Sequence, residues 1–196
     1  MIRLCDIVFS LFGLIILAPL FLIVALWIVL DDPGPVFYRQ ERVGLNSRSF
    51  RLLKFRSMRI GADKKSLITV GDRDPRVTRA GYFIRKYKID ELPQLWNVLV
   101  GDMSLVGPRP EVRKYTDLYT DEQRRVLSVR PGITDYASIE YIDENRLLAS
   151  SDEPEKTYMQ DIVPAKIALN MRYIQNRNAI EYFRIILLTL KSILKH

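Results

Sequence analysis

The sequence predicts an α+β fold in three parts: an N-terminal membrane helix broken near its middle, a small globular domain with a β-hairpin and several short helices, and C-terminal amphipathic helices lying on the membrane surface. Three observations predict it. Residues 7–30 contain no charge. Residues 36–58 form two strand-like runs about a polar turn. The last helical pattern carries a broad apolar stripe flanked by cations.

The uncharged run, IVFSLFGLIILAPLFLIVALWIVL, has 24 residues, whereas a bilayer's hydrocarbon core of about 30 Å needs ~20 helical residues. Trp27 stands near its far edge, as an interfacial anchor does. Pro19 removes a backbone donor and biases Ala18 away from helical geometry, so a break at Ala18 and Pro19 is expected. Each half then holds 12 residues, about 18 Å at ~1.5 Å per residue, too short to span alone. A bent spanning helix and a re-entrant hairpin both satisfy these lengths. Residues 1–32 are the expected membrane anchor and 33–196 the expected globular domain.

After the turn signal DDPGP, the hairpin is expected to turn at Asn46 and Ser47. From Arg39 to Lys88 the chain carries 15 basic and four acidic residues, a local net charge of +11. Residues 60–79 are polar, lack clear periodicity and read as a loop. Leu92, Leu95, Trp96 and Leu99 then fall at helical spacing, giving a short amphipathic helix with Asp90 at or beside its N-cap and Gly101 at its end. Pro93 is tolerated there because the first turn leaves its N–H positions unpaired. Residues 111–161 hold 12 carboxylates against seven basic residues and read as solvated helix and loop. Two further helices follow, separated near Asn178. In the second, Ile180, Phe183, Ile186, Leu187, Leu190 and Leu194 form the stripe, with Arg184, Lys191 and Lys195 alongside.

The formal charge of +7 and pI near 9.5 point to anionic partners. The single cysteine, Cys5, excludes an internal disulfide, and the single histidine, His196, is the last residue. Thiol–histidine and serine–histidine catalysis and Cys/His zinc sites are thereby disfavoured, leaving carboxylates as candidate nucleophiles or bases.

The stretch IDELPQLWN, residues 89–97, places Asp90 and Glu91 side by side in this basic setting. Helix capping alone would explain them. The context argues for chemistry. Arg85, Lys86 and Lys88 precede the pair, and SLVGPRP follows its helix, with Arg109 framed by two prolines as suits bidentate phosphate binding. Gly107 lets the backbone approach closely. A carboxylate among cations stays ionised, and attack on phosphorus needs those cations to cancel the repulsion between nucleophile and diphosphate. A hard cation such as Mg²⁺ would bridge the second carboxylate and the diphosphate.

KFRSM at 54–58, IDELPQLWNVLVGDMSLVGPRP at 89–110 and RPGIT at 130–134, behind an apolar N-terminal segment, resemble the bacterial sugar transferase family, the monotopic phosphoglycosyl transferases. The short chain looks like the family's small form. The resemblance implies transfer of sugar 1-phosphate from a UDP-sugar to undecaprenyl phosphate with release of UMP, initiating glycan assembly. It implies that Asp90 is the nucleophile, forming a phosphosugar–enzyme intermediate, that Glu91 and Asp90 hold Mg²⁺, and that Arg109 holds phosphate. It also implies a re-entrant anchor broken at Ala18 and Pro19, with a catalytic domain on the cytoplasmic face of the bacterial inner membrane and membrane lipid as a partner. Lys54, Arg56, Arg85 and Arg130 are further candidate phosphate or nucleotide contacts. Past RPGIT the chain reads DYASIEYIDENR, departing from many relatives at a segment that could shape the sugar pocket. The rival reading, a membrane-tethered basic module binding anionic lipid or nucleic acid without chemistry, explains the charge but not the acidic pair; nucleic acid is not expected as a partner.

Overall fold

The computed structural model describes residues 1–62 and 74–195. Helix α1 (Ile2–Asp31) is a single helical element with Pro19 inside it, where two halves were expected. Its inward positions recur at helical spacing: Asp6, Ser10, Val24 and Ile28 are buried, with Gly13, Leu17, Leu20 and Phe21 half-buried between them. The opposite face is bare hydrocarbon, with Leu4, Val8, Phe12, Ile15, Leu22 and Ile23 each more than half exposed. Among the described residues α1 alone is long and apolar enough to cross a membrane.

Both ends of α1 are fastened to one domain. Arg3 donates to the carbonyls of Val98 and Leu99 (2.5 and 2.9 Å). Asp6 Oδ1 accepts from Ser104 Oγ, the Leu105 N–H and Tyr182 Oη (2.9, 2.9 and 2.8 Å). At the far end, Asp31 accepts from the Ala80 N–H (2.9 Å) and the Asp32 carboxylate pairs with Arg56 (3.0 Å). The domain thus touches α1 from its first turn to its last.

The expected hairpin is present. β1 (Phe37–Val43) runs antiparallel to β2 (Ser49–Phe55), with Phe37 opposite Phe55 and Val43 opposite Ser49. Asn46 and Ser47 turn the chain at φ 53° and 60°, a left-handed conformation that asparagine tolerates well. The loop expected at 60–79 falls mostly on residues 63–73, outside the described residues; beside it, Met58 and Val77 form an antiparallel bridge. Helix α2 (Arg79–Lys86) begins at Thr78, whose hydroxyl accepts from the Gly81 N–H.

A one-turn 3₁₀ helix, Ile89–Glu91, leads into α3 (Gln94–Val100), which ends as expected at Gly101, φ 99°. Two expectations need correction here. The helix is preceded by Pro93, so Asp90 lies in the 3₁₀ turn and not at the N-cap. The face turned inward is Gln94, Asn97 and Val98, while Trp96 is 52% exposed. The cause is a strand edge that needs partners: Asn97 accepts from the Leu53 N–H (2.9 Å) and donates to the Arg51 carbonyl (2.8 Å).

Strand β3 (Ser104–Val106), helices α4 (Arg113–Thr116) and α5 (Asp121–Arg124), and strand β4 (Gly132–Thr134) follow. β3 and β4 pair in parallel, Ser104 opposite Gly132 and Val106 opposite Thr134. Next come α6 (Tyr136–Glu140), α7 (Glu144–Ala149), α8 (Pro154–Thr157), a π-helical turn at Tyr158–Ile162, α9 (Val163–Gln175) and α10 (Ala179–Lys195). Residues 111–161 are not merely solvated. Val112, Tyr115, Tyr119, Val126, Leu148 and Tyr158 close a core with Ile162, Val163 and Ile167. Four- to six-residue helices are too short to display a periodicity, so this core left no pattern in the sequence.

The split between α9 and α10 near Asn178 is as expected. Tyr182 and Ile185 of α10 are fully buried, whereas Ile180, Phe183, Leu187 and Leu190 of the anticipated stripe face outward, 40–81% exposed. Phe183 meets Phe9 of α1 edge to face at 6.0 Å, so the outward apolar faces of the two helices adjoin.

Candidate active site

Three segments meet at Glu91. Strand β2 delivers Lys54, whose Nζ lies 2.9 Å from Glu91 Oε1. The loop after β3 delivers Arg109, whose Nη1 donates to Glu91 Oε2 (3.1 Å) and whose Nη2 donates to Oε1. The side chain of Asn97 stitches α3 to β2 and so holds Lys54 and the acidic turn in register.

Arg109 is placed by backbone contact that only glycine permits. A Cβ on Gly107 would stand 2.4 Å from the Arg130 carbonyl oxygen, and one on Gly132 would stand 2.1 Å from the Gly107 nitrogen. Asp135, fully buried, fixes the same loop: Oδ2 accepts from the Arg109 N–H (3.0 Å) and Oδ1 from the Ser138 N–H (2.5 Å), capping α6.

The adjacent carboxylates are driven apart electrostatically. Burial works against the Glu91 anion, but Arg109 and Lys54 outweigh it and hold this carboxyl well below the ordinary range. Burial pushes Asp90 above its ordinary value, with Lys54 opposing and the Glu91 charge adding to the rise. Asp90 is 6% exposed, and no described residue hydrogen-bonds its carboxylate. Burial also lowers Lys54, partly countered by Glu91. A buried, unpartnered carboxylate invites a cation or an electrophile.

Both acidic residues line a cavity of about 700 Å³. Arg85 and Lys88 line it near Asp90 and act on that carboxylate. Arg56 also lines it, though its guanidinium is committed to Asp32 at the end of α1. Arg130 does not line it and donates to the Gly101 carbonyl (2.9 Å), at the end of α3. Among the described residues no group of three or more His, Cys, Asp or Glu could hold a metal ion. Mg²⁺ commonly uses only one or two carboxylates and completes its shell with phosphate oxygens and water. Asp90, whose carboxylate accepts no hydrogen bond from the described residues, beside Glu91 fits that donor set.

Sequence reasoning missed several residues of the cavity. Lys88 reaches it from a left-handed backbone, φ 56°, that no sequence signal marks. Glu111, Glu144, Tyr158 and Lys166 also line it; Glu111, directly after the PRP motif, is the one with a positional clue.

Cations gathered round paired carboxylates, in a cavity close to the end of a long apolar helix, suit the handling of phosphorylated groups. Comparison with known proteins makes the class specific. The chain belongs to the bacterial sugar transferase family, whose model matches residues 1–196. A Bacillus subtilis (strain 168) protein carrying the provisional name undecaprenyl-phosphate N-acetylgalactosaminyl 1-phosphate transferase is 50% identical over 120 residues, 61% of this chain and 67% of that one. The UDP-N-acetylgalactosamine-undecaprenyl-phosphate N-acetylgalactosaminephosphotransferase of Aeromonas hydrophila is 45% identical over 139 residues, 68% of this chain and 32% of that one. The UDP-glucose:undecaprenyl-phosphate glucose-1-phosphate transferase of Caulobacter vibrioides is 38% identical over 195 residues, 98% of this chain and 69% of that one. The chain thus spans about a third of the Aeromonas protein and about two thirds of the other two.

Proposed function

We propose that this protein transfers sugar 1-phosphate from a UDP-sugar to undecaprenyl phosphate, releasing UMP, in two displacements at Asp90. The observation that carries the reading is a buried Asp90, its carboxylate without a hydrogen bond from the described residues, beside a Glu91 locked between Lys54 and Arg109. In the first step an Asp90 carboxylate oxygen bonds to the sugar-bearing phosphorus, and the bond from that phosphorus to the bridging oxygen breaks, the electron pair leaving with UMP. In the second, a phosphate oxygen of undecaprenyl phosphate attacks the same phosphorus and Asp90 leaves. Arg109, Lys54, Arg85 and Lys88 screen the anionic donor from the anionic nucleophile and hold the phosphates in line. Asp90 and Glu91 would hold Mg²⁺, which when bound neutralises charge on the diphosphate.

Membrane topology enters the same reading. With Arg3, Asp6, Asp31 and Asp32 all bonded to one domain, α1 enters and leaves the bilayer on the domain's side, and the outward faces of α1 and α10 sit in lipid. The domain lies on the cytoplasmic face of the inner membrane, where nucleotide sugars and the acceptor's phosphate are both within reach. The test is UMP release by membrane-reconstituted protein supplied with a panel of UDP-sugars and undecaprenyl phosphate. Turnover by the native chain and its loss in Asp90→Asn are expected. A native chain that binds anionic vesicles in a salt-sensitive manner yet releases no UMP would leave the non-catalytic module as the better reading.

A further inference from the structure

The cavity is lined by two chemically different groups of residues. Around Asp90 it is walled by Lys54, Arg85, Lys88 and Arg109. A second group in its lining holds two carboxylates, Glu111, paired with Arg42 at 3.7 Å, and Glu144, with Lys166, Tyr158, Tyr141 and Ser138. Glu144 and Lys166 form an ion pair at 2.7 Å, their side chains 26% and 11% exposed. Lys166 also stands over the Tyr158 ring, 5.6 Å from its centroid, and the Tyr158 hydroxyl donates to Glu111. Ser138 Oγ is buried there with no hydrogen-bond partner. The two groups are neighbours, since Glu144 adds to the negative charge felt by Arg109.

We propose that this second group forms the glycosyl subsite, and that Glu144 and Lys166 select the donor by reading hydroxyl configuration on its sugar ring. The assignment rests on the two-substrate reading above and extends it. A nucleoside monophosphate leaving group brings its own phosphate and is drawn to the cations around Asp90 rather than to residues whose charges already cancel, Glu111 with Arg42 and Glu144 with Lys166. A sugar ring is uncharged and carries adjacent hydroxyl groups, each able to donate to Glu144 and accept from Lys166. Such charge-assisted bonds distinguish epimers because a misdirected hydroxyl forfeits its bond to the ion pair. Ser138 lies on α6, and Asp135, which caps that helix, also ties it to Arg109. The two groups are therefore set by one loop.

The experiment compares the native full-length chain with Glu144→Gln and Ser138→Val, reconstituted in nanodiscs, on a panel of UDP-sugars that includes C4 epimers, with UMP as product inhibitor. For Glu144→Gln the expected result is a fall in kcat/KM of about tenfold or more on the preferred donor, a smaller gap between epimers, and UMP inhibition changed less than about twofold. Ser138→Val narrows the same subsite without altering charge, and the same split between donor and UMP is expected of it. Unchanged donor preference in both variants overturns the proposal. So does a loss of UMP inhibition matching the loss of donor use, which would make this group the nucleoside site. A native chain inactive on every donor would instead overturn the two-displacement reading and this assignment with it.

Discussion

Glu91 is held by Arg109 through both carboxylate oxygens and by Lys54 through one of them. Its immediate neighbour Asp90 has no comparable partner among the described residues. Side by side on one turn, one carboxylate is an immobilised anion and the other is buried and available. Under the proposed two-displacement reading, that asymmetry gives Glu91 the positioning role and Asp90 the reacting one.

Replacing Glu91 with Gln keeps the shape and removes the charge that holds two cations. The value of kcat/KM is expected to fall at least about a hundredfold, because Lys54 and Arg109 lose their placement. Stability falls by about 1–3 kcal/mol, since those partly buried cations lose their counter-charge. UMP-release kinetics and thermal melting of the variant check the two parts separately.

The pH dependence follows from the directions of the shifts. Asp90 is raised above its ordinary 3.8, so the acid limb of kcat/KM lies above that value, with activity lost as pH falls through the folded-state pKa. Lys54 is lowered from 10.5, placing a second loss below that value as its ammonium deprotonates and releases Glu91. For stability the signs differ. Glu91, depressed below 4.5, contributes stability that is present above that pH and is lost as pH falls through its folded-state value, whereas protonating the raised Asp90 favours the fold. A pH–rate profile flat to pH 4 would be at odds with the buried Asp90.

The contact between β3 and β4 leaves no room for a side chain. Gly132→Ala puts a methyl group 2.1 Å from the Gly107 nitrogen, so the strands must part and Arg109 must shift. Activity is expected to fall at least about tenfold, since a displacement near 1 Å can cost a hundredfold. A kinetic comparison with the native chain reads it, and unaltered turnover would show that Arg109 tolerates the shift.

Asp6 joins the start of α1 to β3 and α10 through three hydrogen bonds. Asp6→Ala leaves those donors unpaired inside the protein, and a destabilisation of about 2 kcal/mol or more is expected. With Cys5 replaced by Ser, single cysteines at residue 2 and residue 33 should react with a membrane-impermeant thiol reagent from the same side of a sealed vesicle. Labelling from opposite sides would mean that α1 spans.

Much of this was legible in the sequence because it rests on local signals. The uncharged run gave α1, the Asn46–Ser47 turn gave the hairpin, and Gly101 marked the end of α3. The acidic pair and Arg109 were visible as residues in basic and proline-rich surroundings. Their contact was not, since nothing in sequence spacing says that Lys54 and Arg109 converge on Glu91 rather than Asp90. Arg56 and Arg130 show the converse: both are cations in family-like motifs, yet the first holds Asp32 and the second the end of α3. The inward face of α3 was misread because a strand edge in need of hydrogen bonds draws Asn97 inward, a tertiary demand that overrides the apolar stripe.

The central claim is that Asp90 carries the sugar phosphate between donor and acceptor, and the intact mass of the protein tests it most directly. Incubated with its UDP-sugar and no undecaprenyl phosphate, the native chain should gain the mass of one sugar phosphate, located on Asp90, while releasing one equivalent of UMP; added acceptor should discharge it. Protein that stays unmodified and releases UMP only once the acceptor is present would contradict the account and establish direct transfer.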